Sequence, residues 1–324
     1  MNNTWTIVTG AAGFIASNIV RALNARGETD LLLVDDLGRD ERWKNLTGLR
    51  FDEIWPVQRF REAVRSGTLP RRVGTVYHMG ACSATTETDA GYLLDNNYEC
   101  SKEIARYCLA HDARLVYASS AATYGDGSAG YDDSLSASGG LAPLNMYGMS
   151  KWLFDEWAIH TGGIDRFAGL KFFNVYGPGE AHKGDMRSVV HKAFGQIRRE
   201  GKISLFKSYR ADYADGEQKR DFIYVRDVVD VCLFFGEENR EAGGLFNVGT
   251  GHARTWLDLA GAVFAALELP GQIEFVEMPG SLRPKYQYFT EADVSRLRAA
   301  GYARPFTSLE EGVCDYVRNH LAKE

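Results

Sequence analysis

This 324-residue chain has no excess of positive charge: Lys and Arg number 37 against 43 Asp and Glu, a formal net charge of −6. Nucleic-acid binders usually show the opposite balance, so no nucleic-acid partner is expected. Long apolar runs are missing too; none approaches the ~18 residues of a membrane span. The opening MNNTWTIVTGAAGF lacks a basic segment and its apolar stretch ends in glycines, so it does not read as a secretory signal. The five cysteines (Cys82, Cys100, Cys108, Cys232 and Cys314) form no C-x-x-C pair and read as reduced thiols of a cytoplasmic protein. The seven histidines show no metal-ligand spacing, so no metal is expected. No Pro- or Ser-rich linker, internal repeat or low-complexity tract interrupts the chain. At ~150 residues per domain the length suggests two units, and without a linker the second should pack closely on the first. Composition, 45% hydrophobic and 25% charged, argues against disorder as the main theme. What is plentiful is glycine, 34 residues, which points to tight turns or to backbone close to a ligand.

The first half alternates short apolar runs with helical spacing. Strands are predicted over 6–9, 31–34, 73–78, 114–119 and 167–176, with helices over 14–23, 93–110 and 146–160. Continuous apolar strands require a sheet covered on both faces. The alternation predicts an α/β fold, a Rossmann-type doubly wound parallel sheet. Residues 178–222 are mixed, and RADYADGEQKRD within them reads as a solvated surface loop. Beyond it, helices are predicted over 225–235, 255–267 and 309–321, with strands over 245–248 and 273–276. This divides the chain into a dinucleotide-binding domain, 1–177 with 221–251 returning to it, and a smaller C-terminal α/β substrate lobe of 178–220 and 252–324.

Gly10-Ala11-Ala12-Gly13-Phe14-Ile15-Ala16 joins the first strand to the first helix. Gly10 permits the tight turn, and Gly13 lets the backbone approach a pyrophosphate at the helix N-terminus. Ala16 stands at the third glycine position, where helix–strand packing tolerates a methyl group. Asp35 and Asp36 close the second strand and can accept from a ribose 2′-OH, which favours NAD. Arg39 and Arg42 follow and can meet a 2′-phosphate, which favours NADP; the residues leave both open. Tyr147-Gly148-Met149-Ser150-Lys151 puts Tyr147 and Lys151 on one helix face. A phenol titrates near ~10, and a nearby ammonium favours its phenolate. Ser120, at the C-terminal end of a parallel strand, can hold a substrate hydroxyl while Tyr147 takes its proton.

The ordered set TGAAGFIAS, VDD, YASSAATYG, YGMSK, FFNVYGPG, RDFIYVRDVVD and FNVGTG resembles the extended short-chain dehydrogenase/reductase family across nearly the whole chain. That resemblance implies an N-terminal nicotinamide-binding part and a C-terminal nucleotide-sugar lobe. The 4,6-dehydratase branch needs an acid pair beside the serine, and Ala121-Ala122-Thr123-Tyr124 supplies no carboxylate. MGACSATTETD, YLLDNNYECSKE, AHKGDMRSVVHK, LFKS, QKRDFIYVRDV and KYQYFTEADVSRLRAAGY are similar to one subgroup, the ADP-L-glycero-D-manno-heptose 6-epimerases. The subgroup implies inversion at C6″ of ADP-D-glycero-D-manno-heptose, in lipopolysaccharide core precursor synthesis. The route is transient oxidation to a ketone and re-reduction with tightly bound NADP. It also implies two acid/base groups, Tyr147 and Lys183, and a homo-oligomer, with a pentamer suggested.

Position by position, the resemblance places Phe14, Ile15, Asp35, Asp36, Arg42, Met79, Gly80, Ala81, Cys82, Ser83, Asn96 and Val175 at the cofactor, beside Gly10, Gly13 and Lys151. It places Asn174, Lys183, Asp185, Phe206, Lys207, Ser208, Tyr209, Arg220 and Tyr286 at the substrate, with one further position falling on His191 or Lys192. Arg220 suits a bidentate diphosphate contact. Arg42 stands where the family has a lysine, and a second such lysine falls near Val57. Two readings compete with this one. Another nucleotide-sugar epimerase, such as a UDP-hexose 4-epimerase, can work with Tyr147 alone. A non-catalytic nicotinamide-binding sensor would be expected to lose Tyr147 or Lys151, and both are intact.

Overall fold

The computed structural model describes residues 4–280, 282–283 and 286–323. Seven strands form one parallel sheet: β1 (Thr4–Thr9), β2 (Leu31–Val34), β3 (Glu53–Trp55), β4 (Arg72–His78), β5 (Arg114–Ser120), β6 (Phe167–Phe172) and, later in the chain, β10 (Gly244–Val248). Their order across the sheet is β10-β6-β5-β4-β1-β2-β3, and every neighbouring pair is parallel. Side chains alternate between two cores. Val8, Leu33, Tyr77 and Leu170 bury against helix α1 (Phe14–Ala25) and a later helix, α6 (Val225–Leu233). Ile7, Leu32, Val76 and Leu115 bury against α2 (Val57–Ser66), α3 (Cys100–His111) and α4 (Met146–His160). With both faces covered, LLLV of β2 is wholly apolar because neither face meets water.

The remaining elements build the second lobe. They are β7 (Asn174–Tyr176), α5 (Val189–Glu200), β8 (Ile203–Phe206), β9 (Lys219–Tyr224), β11 (Ala253–Thr255), α7 (Trp256–Leu267), β12 (Ile273–Val276) and α8 (Leu309–Asn319). β9 pairs parallel with β7 and antiparallel with β11, and β12 pairs parallel with β8. Helices α5, α7 and α8 enclose a third core around Val190, Ile197, Val263 and Val317.

Several expectations are corrected. The strand expected over 167–176 is two strands, with Phe173 turning from the main sheet to the lobe sheet. The helix expected over 93–110 is interrupted by a π-turn at Leu94–Glu99, from which Asn96 lines the cleft. The mixed segment 178–222 contains α5, β8 and β9. The tail of the supposed surface loop, Gln218 to Asp221, is buried apart from Lys219. Leu297 and Tyr302 pack into the sheet core, although they follow residue 251. Lys285, at the head of one family-like stretch, lies outside the described residues. All five cysteines are free. Among the described residues no helix is long and apolar enough to cross a membrane, and no group of three His, Cys, Asp or Glu is placed to hold a metal.

Candidate functional site

The chain runs outward from β1 to β2 and β3, then crosses back to β4 on the other side of β1. Ligands of such sheets bind where the strand order reverses, beyond the carboxyl ends. A cleft of about 870 Å³ opens there, within the range of small-molecule sites. Its floor is the turn after β1. Gly10 has φ +64°, and a Cβ on it would lie 2.7 Å from the Gly80 Cα, so β1 and β4 can meet only with glycine at that position. Gly13 caps α1, and a Cβ there would lie 2.9 Å from the Gly10 carbonyl oxygen. The bare turn leaves the first amides of α1 facing the cleft, the arrangement that receives a pyrophosphate. Phe14, Ile15, Met79, Gly80, Ala81, Cys82, Ser83, Asn96 and Val175 line the same cleft. The residues present therefore fit a dinucleotide.

The far end is acidic. Asp35 Oδ2 accepts from the Ala12 amide at 2.8 Å, so this carboxylate braces the glycine turn from below. Burial raises its pKa, against the Ala12 hydrogen bond and the charge of Arg42. Asp36 Oδ1 accepts from the Val57 amide at 3.1 Å and thereby holds the start of α2. Arg42 makes a two-pronged contact with Asp40, at 2.9 and 2.7 Å, and lies 3.8 Å from Asp35. That contact holds Asp40 down to about 2.

Tyr147 enters from the first turn of α4. Asn145 caps that helix by accepting from the Gly148 amide at 2.8 Å, which fixes where the phenol emerges. Burial raises the Tyr147 pKa, and a hydrogen bond with the Ser120 hydroxyl opposes the rise. Ser120 Oγ also accepts from the Ala122 amide at 3.1 Å, which orients it. Lys151, one turn on, donates to the Ala118 carbonyl at 2.8 Å; burial brings its pKa down to about 8, against the pull of Asp155. Behind them lies a dry polar cluster. Asp155, fully buried, accepts from Tyr117 at 2.9 Å, Ser119 at 2.7 Å and Lys171 at 3.0 Å, and Lys171 also donates to Thr123 at 2.8 Å.

Lys183 reaches the cleft from the 3₁₀ turn Ala181–Met186, with its Nζ 5.4 Å from the centre of the Phe14 ring. Burial lowers its pKa, and Glu180 resists. The cleft thus holds two separate titratable side chains, Tyr147 and Lys183, around one glycine turn. Asn174 lines it as well.

The other substrate-side residues are divided. Arg220 is 7% exposed, stacked between Trp256 and Tyr286 at 5.6 and 5.2 Å, and Phe206 meets Tyr286 edge-on at 6.4 Å. Trp256 lines the cleft, so these residues sit at its lobe end. Arg220 bonds the carbonyls of Lys219 and Gln287. Lys207 and Tyr209 both bond Glu277 on the outer surface, and Ser208 closes its own turn through Asp215 and Arg210. None of these three lines the cleft. Nor does Asp185: it is exposed, and its carbonyl accepts from the outward-facing Lys192. His191 is the inward member of the ambiguous pair, held by Arg187 at 3.3 Å and lowered to about 4 by burial.

Sequence reasoning passed over three contributors. Asn97, 1% exposed, bonds both backbone groups of Cys82 and the Ser150 hydroxyl, tying the loop after β4 to α4. The DNNY run offers two asparagines, and only the π-turn separates the lining Asn96 from the bracing Asn97. Arg187, inside AHKGDMRSVVHK but not singled out there, and Trp256, outside every motif, also line the cleft.

Residues 6–249 match the model of a family described as NAD dependent epimerase/dehydratase. The chain belongs to that family. Among relatives of this epimerase/dehydratase chain, the ADP-L-glycero-D-manno-heptose-6-epimerase of Nitratidesulfovibrio vulgaris is 53% identical over 316 residues, covering 98% of each chain. The enzyme of the same name from Fusobacterium nucleatum is 45% identical over 327 residues, again covering 98% of each. A solved ADP-L-glycero-D-manno-heptose-6-epimerase from Helicobacter pylori superposes with a TM-score of 0.80 at 24% identity, over 97% of this chain and 95% of that one. A UDP-glucose 4-epimerase from Thermotoga maritima gives 0.79 at 22%, over 98% and 99%, so the fold alone does not separate the sugars.

Proposed function

We propose that this chain inverts C6″ of ADP-D-glycero-D-manno-heptose to give ADP-L-glycero-D-manno-heptose. The observation that carries the reading is the presence of Tyr147 and Lys183 in one cleft with the cofactor turn. The full-length identity with relatives of that name supplies the substrate. A bound nicotinamide dinucleotide supplies the reversible hydride acceptor. The chain does the rest. Ser120 holds the C6″ hydroxyl and Tyr147 removes its proton as C6″ loses hydride, leaving a ketone. The ketone turns its other face to the same ring. As hydride returns, Lys183 donates a proton to the new alkoxide, and solvent restores both groups. Starting from the other epimer, Lys183 is the base and Tyr147 the acid. Arg220, set between two rings and with no carboxylate bonded to it among the described residues, suits the diphosphate.

For the nucleotide itself, the resemblance implies NADP, and Arg42 is the cleft-lining cation at the Asp35 end. Asp35 and Asp36 favour NAD instead. Arg42→Ala is expected to weaken NADP binding about tenfold, the equivalent of one charged hydrogen bond. NAD binding should stay within about twofold. Titration calorimetry on cofactor-stripped protein reads both constants, and equal losses would remove Arg42 from the choice. The cysteine pattern suits a cytoplasmic enzyme, and the resemblance suggests a homo-oligomer, which sedimentation at working concentration checks.

The deciding assay uses purified protein, no added cofactor and ADP-D-glycero-D-manno-heptose, with both C6″ epimers followed. An epimer mixture should form from either side. Lys183→Met should slow it by about 10²- to 10⁴-fold, the range for losing one acid/base group. Conversion of a UDP-hexose at C4″ instead, untouched by Lys183→Met, would overturn the assignment while leaving the Tyr147 chemistry in place.

A further inference from the structure

Glu180 is a buried carboxylate that the reaction above does not use. It is 0% exposed, three residues before Lys183. Burying an anion is costly unless donors surround it, and this one has them from both ends of the Lys183 loop. Its Oε1 accepts from the Gly177 amide at 3.5 Å, where the loop leaves β7, and from the Ser188 hydroxyl at 2.6 Å. Its Oε2 accepts from the Ser188 amide at 2.5 Å, where the loop enters α5. The Tyr316 hydroxyl, on α8, adds a fourth bond. The Lys183 amide returns to the Glu180 carbonyl at 3.0 Å. On its other flank the loop is tied to the cofactor turn. Asn18 donates to the carbonyls of Phe14 and Pro178, at 2.9 and 2.8 Å, and Asn45 donates to those of Ala12 and Gly179, both at 2.9 Å.

We propose that Glu180 is the positioning residue of Lys183, closing the 177–188 loop on itself so that the amine is presented to the cleft at a fixed place beside the cofactor turn. This rests on Lys183 being the second acid/base group. Geometry carries the proposal, and electrostatics gives it a signature. The Glu180 charge favours the ammonium of Lys183, against burial. The other titratable groups in and around the loop include His182, Asp185 and Arg187 of the loop itself, Arg42 and Asp40 facing His182, His191 and Lys192 of α5 and Tyr316 of α8. His182 and His191 are both pushed toward the neutral form by burial, and Glu180 is the charge that acts on Lys183.

The test is a double-mutant cycle on the full-length enzyme with bound cofactor, using Glu180→Gln, Lys183→Met and the double variant. Glu180→Gln keeps the shape and removes the charge. One limb of the pH profile should move about one unit toward lower pH, as expected for losing a neighbouring opposite charge. The same limb should move in both directions of epimerisation, and turnover should fall about tenfold. In the Lys183→Met background, adding Glu180→Gln should change the residual rate less than twofold, because the two residues act as one unit. Should Glu180→Gln not fold, Tyr316→Phe removes only a hydroxyl donor. It should slow turnover about threefold, an effect again absent beside Lys183→Met. An unmoved pH limb, or losses that multiply in the double variant, would make Glu180 a structural staple only and sink the proposal while the two-base reading stands. Full activity of Lys183→Met would instead remove the two-base reading, and this proposal with it.

Discussion

Replacing Tyr147 by Phe is expected to lower turnover about 10³-fold, within the range for a lost acid/base group, with folding and cofactor binding unchanged. The side chain is half-buried and differs only by the hydroxyl, so packing around α4 is kept. What goes is the one oxygen that Ser120 orients toward the cleft. Burial favours the protonated phenol, so it needs positive charge nearby to act as a base. Lys151, one helical turn on, is a cation of the same cleft: at about 8 its amine remains mostly ammonium at neutral pH. Lys183 enters from a different loop and cannot replace a proton acceptor at Tyr147. Dialysis titration of the cofactor, near-ultraviolet circular dichroism and the epimer assay would be run together. Turnover within tenfold of the parent, with the other two unchanged, would move the proton chemistry elsewhere.

The second large effect is on stability. Lys171→Met should destabilise the fold by about 3–5 kcal/mol, the usual consequence of removing one partner of a buried ion pair. Lys171 and Asp155 are 1% and 0% exposed. Without the ammonium, Asp155 keeps the hydroxyls of Tyr117 and Ser119 and the field of Lys151 but loses its directly bonded cation in a fully buried position. The double replacement Lys171→Met with Asp155→Leu should recover much of the loss, because a matched apolar pair demands no donors, although Tyr117 and Ser119 then lose their acceptor. Urea unfolding of the three proteins reads the cycle. A loss below about 1 kcal/mol for Lys171→Met would mean that water reaches the cluster.

Legibility in the sequence followed the range of the interactions involved. The turn from Gly10 to Gly13 and the pair Tyr147 and Lys151 are local: one strand end, one helix face, a few residues each. They could be read directly, and the cleft contains all of them. β9 could not. KRDFIY begins with three charged residues, so it reads as the end of a solvated loop, yet Asp221 is fully buried. Its partners are the amides of Thr250, Gly251 and Ala292, far along the chain and invisible to any periodicity. Arg220 is similar, since the rings that shelter it come from α7 and from beyond β12. Asn96 and Asn97 show a finer limit. A helix at 3.6 residues per turn would give them different neighbours from those the π-turn allows, and no residue type marks such a turn. The positions read from family likeness at 185 and 207–209 turn outward in this chain, where Asp185, Lys207 and Tyr209 spend their polar groups on the lobe surface.

The ties from Asn18 and Asn45 have a bearing on how such a protein can diverge. They fasten the Lys183 loop to the turn that follows β1, so Lys183 and that turn share one frame. Arg220, Phe206 and Tyr286 stand outside it, on the lobe's own strands and loops. Drift around those three can therefore alter which sugar nucleotide is admitted so long as Ser188 and Tyr316, the lobe's own ties to the Lys183 loop, are kept. A lineage can change its diet while keeping its teeth in place.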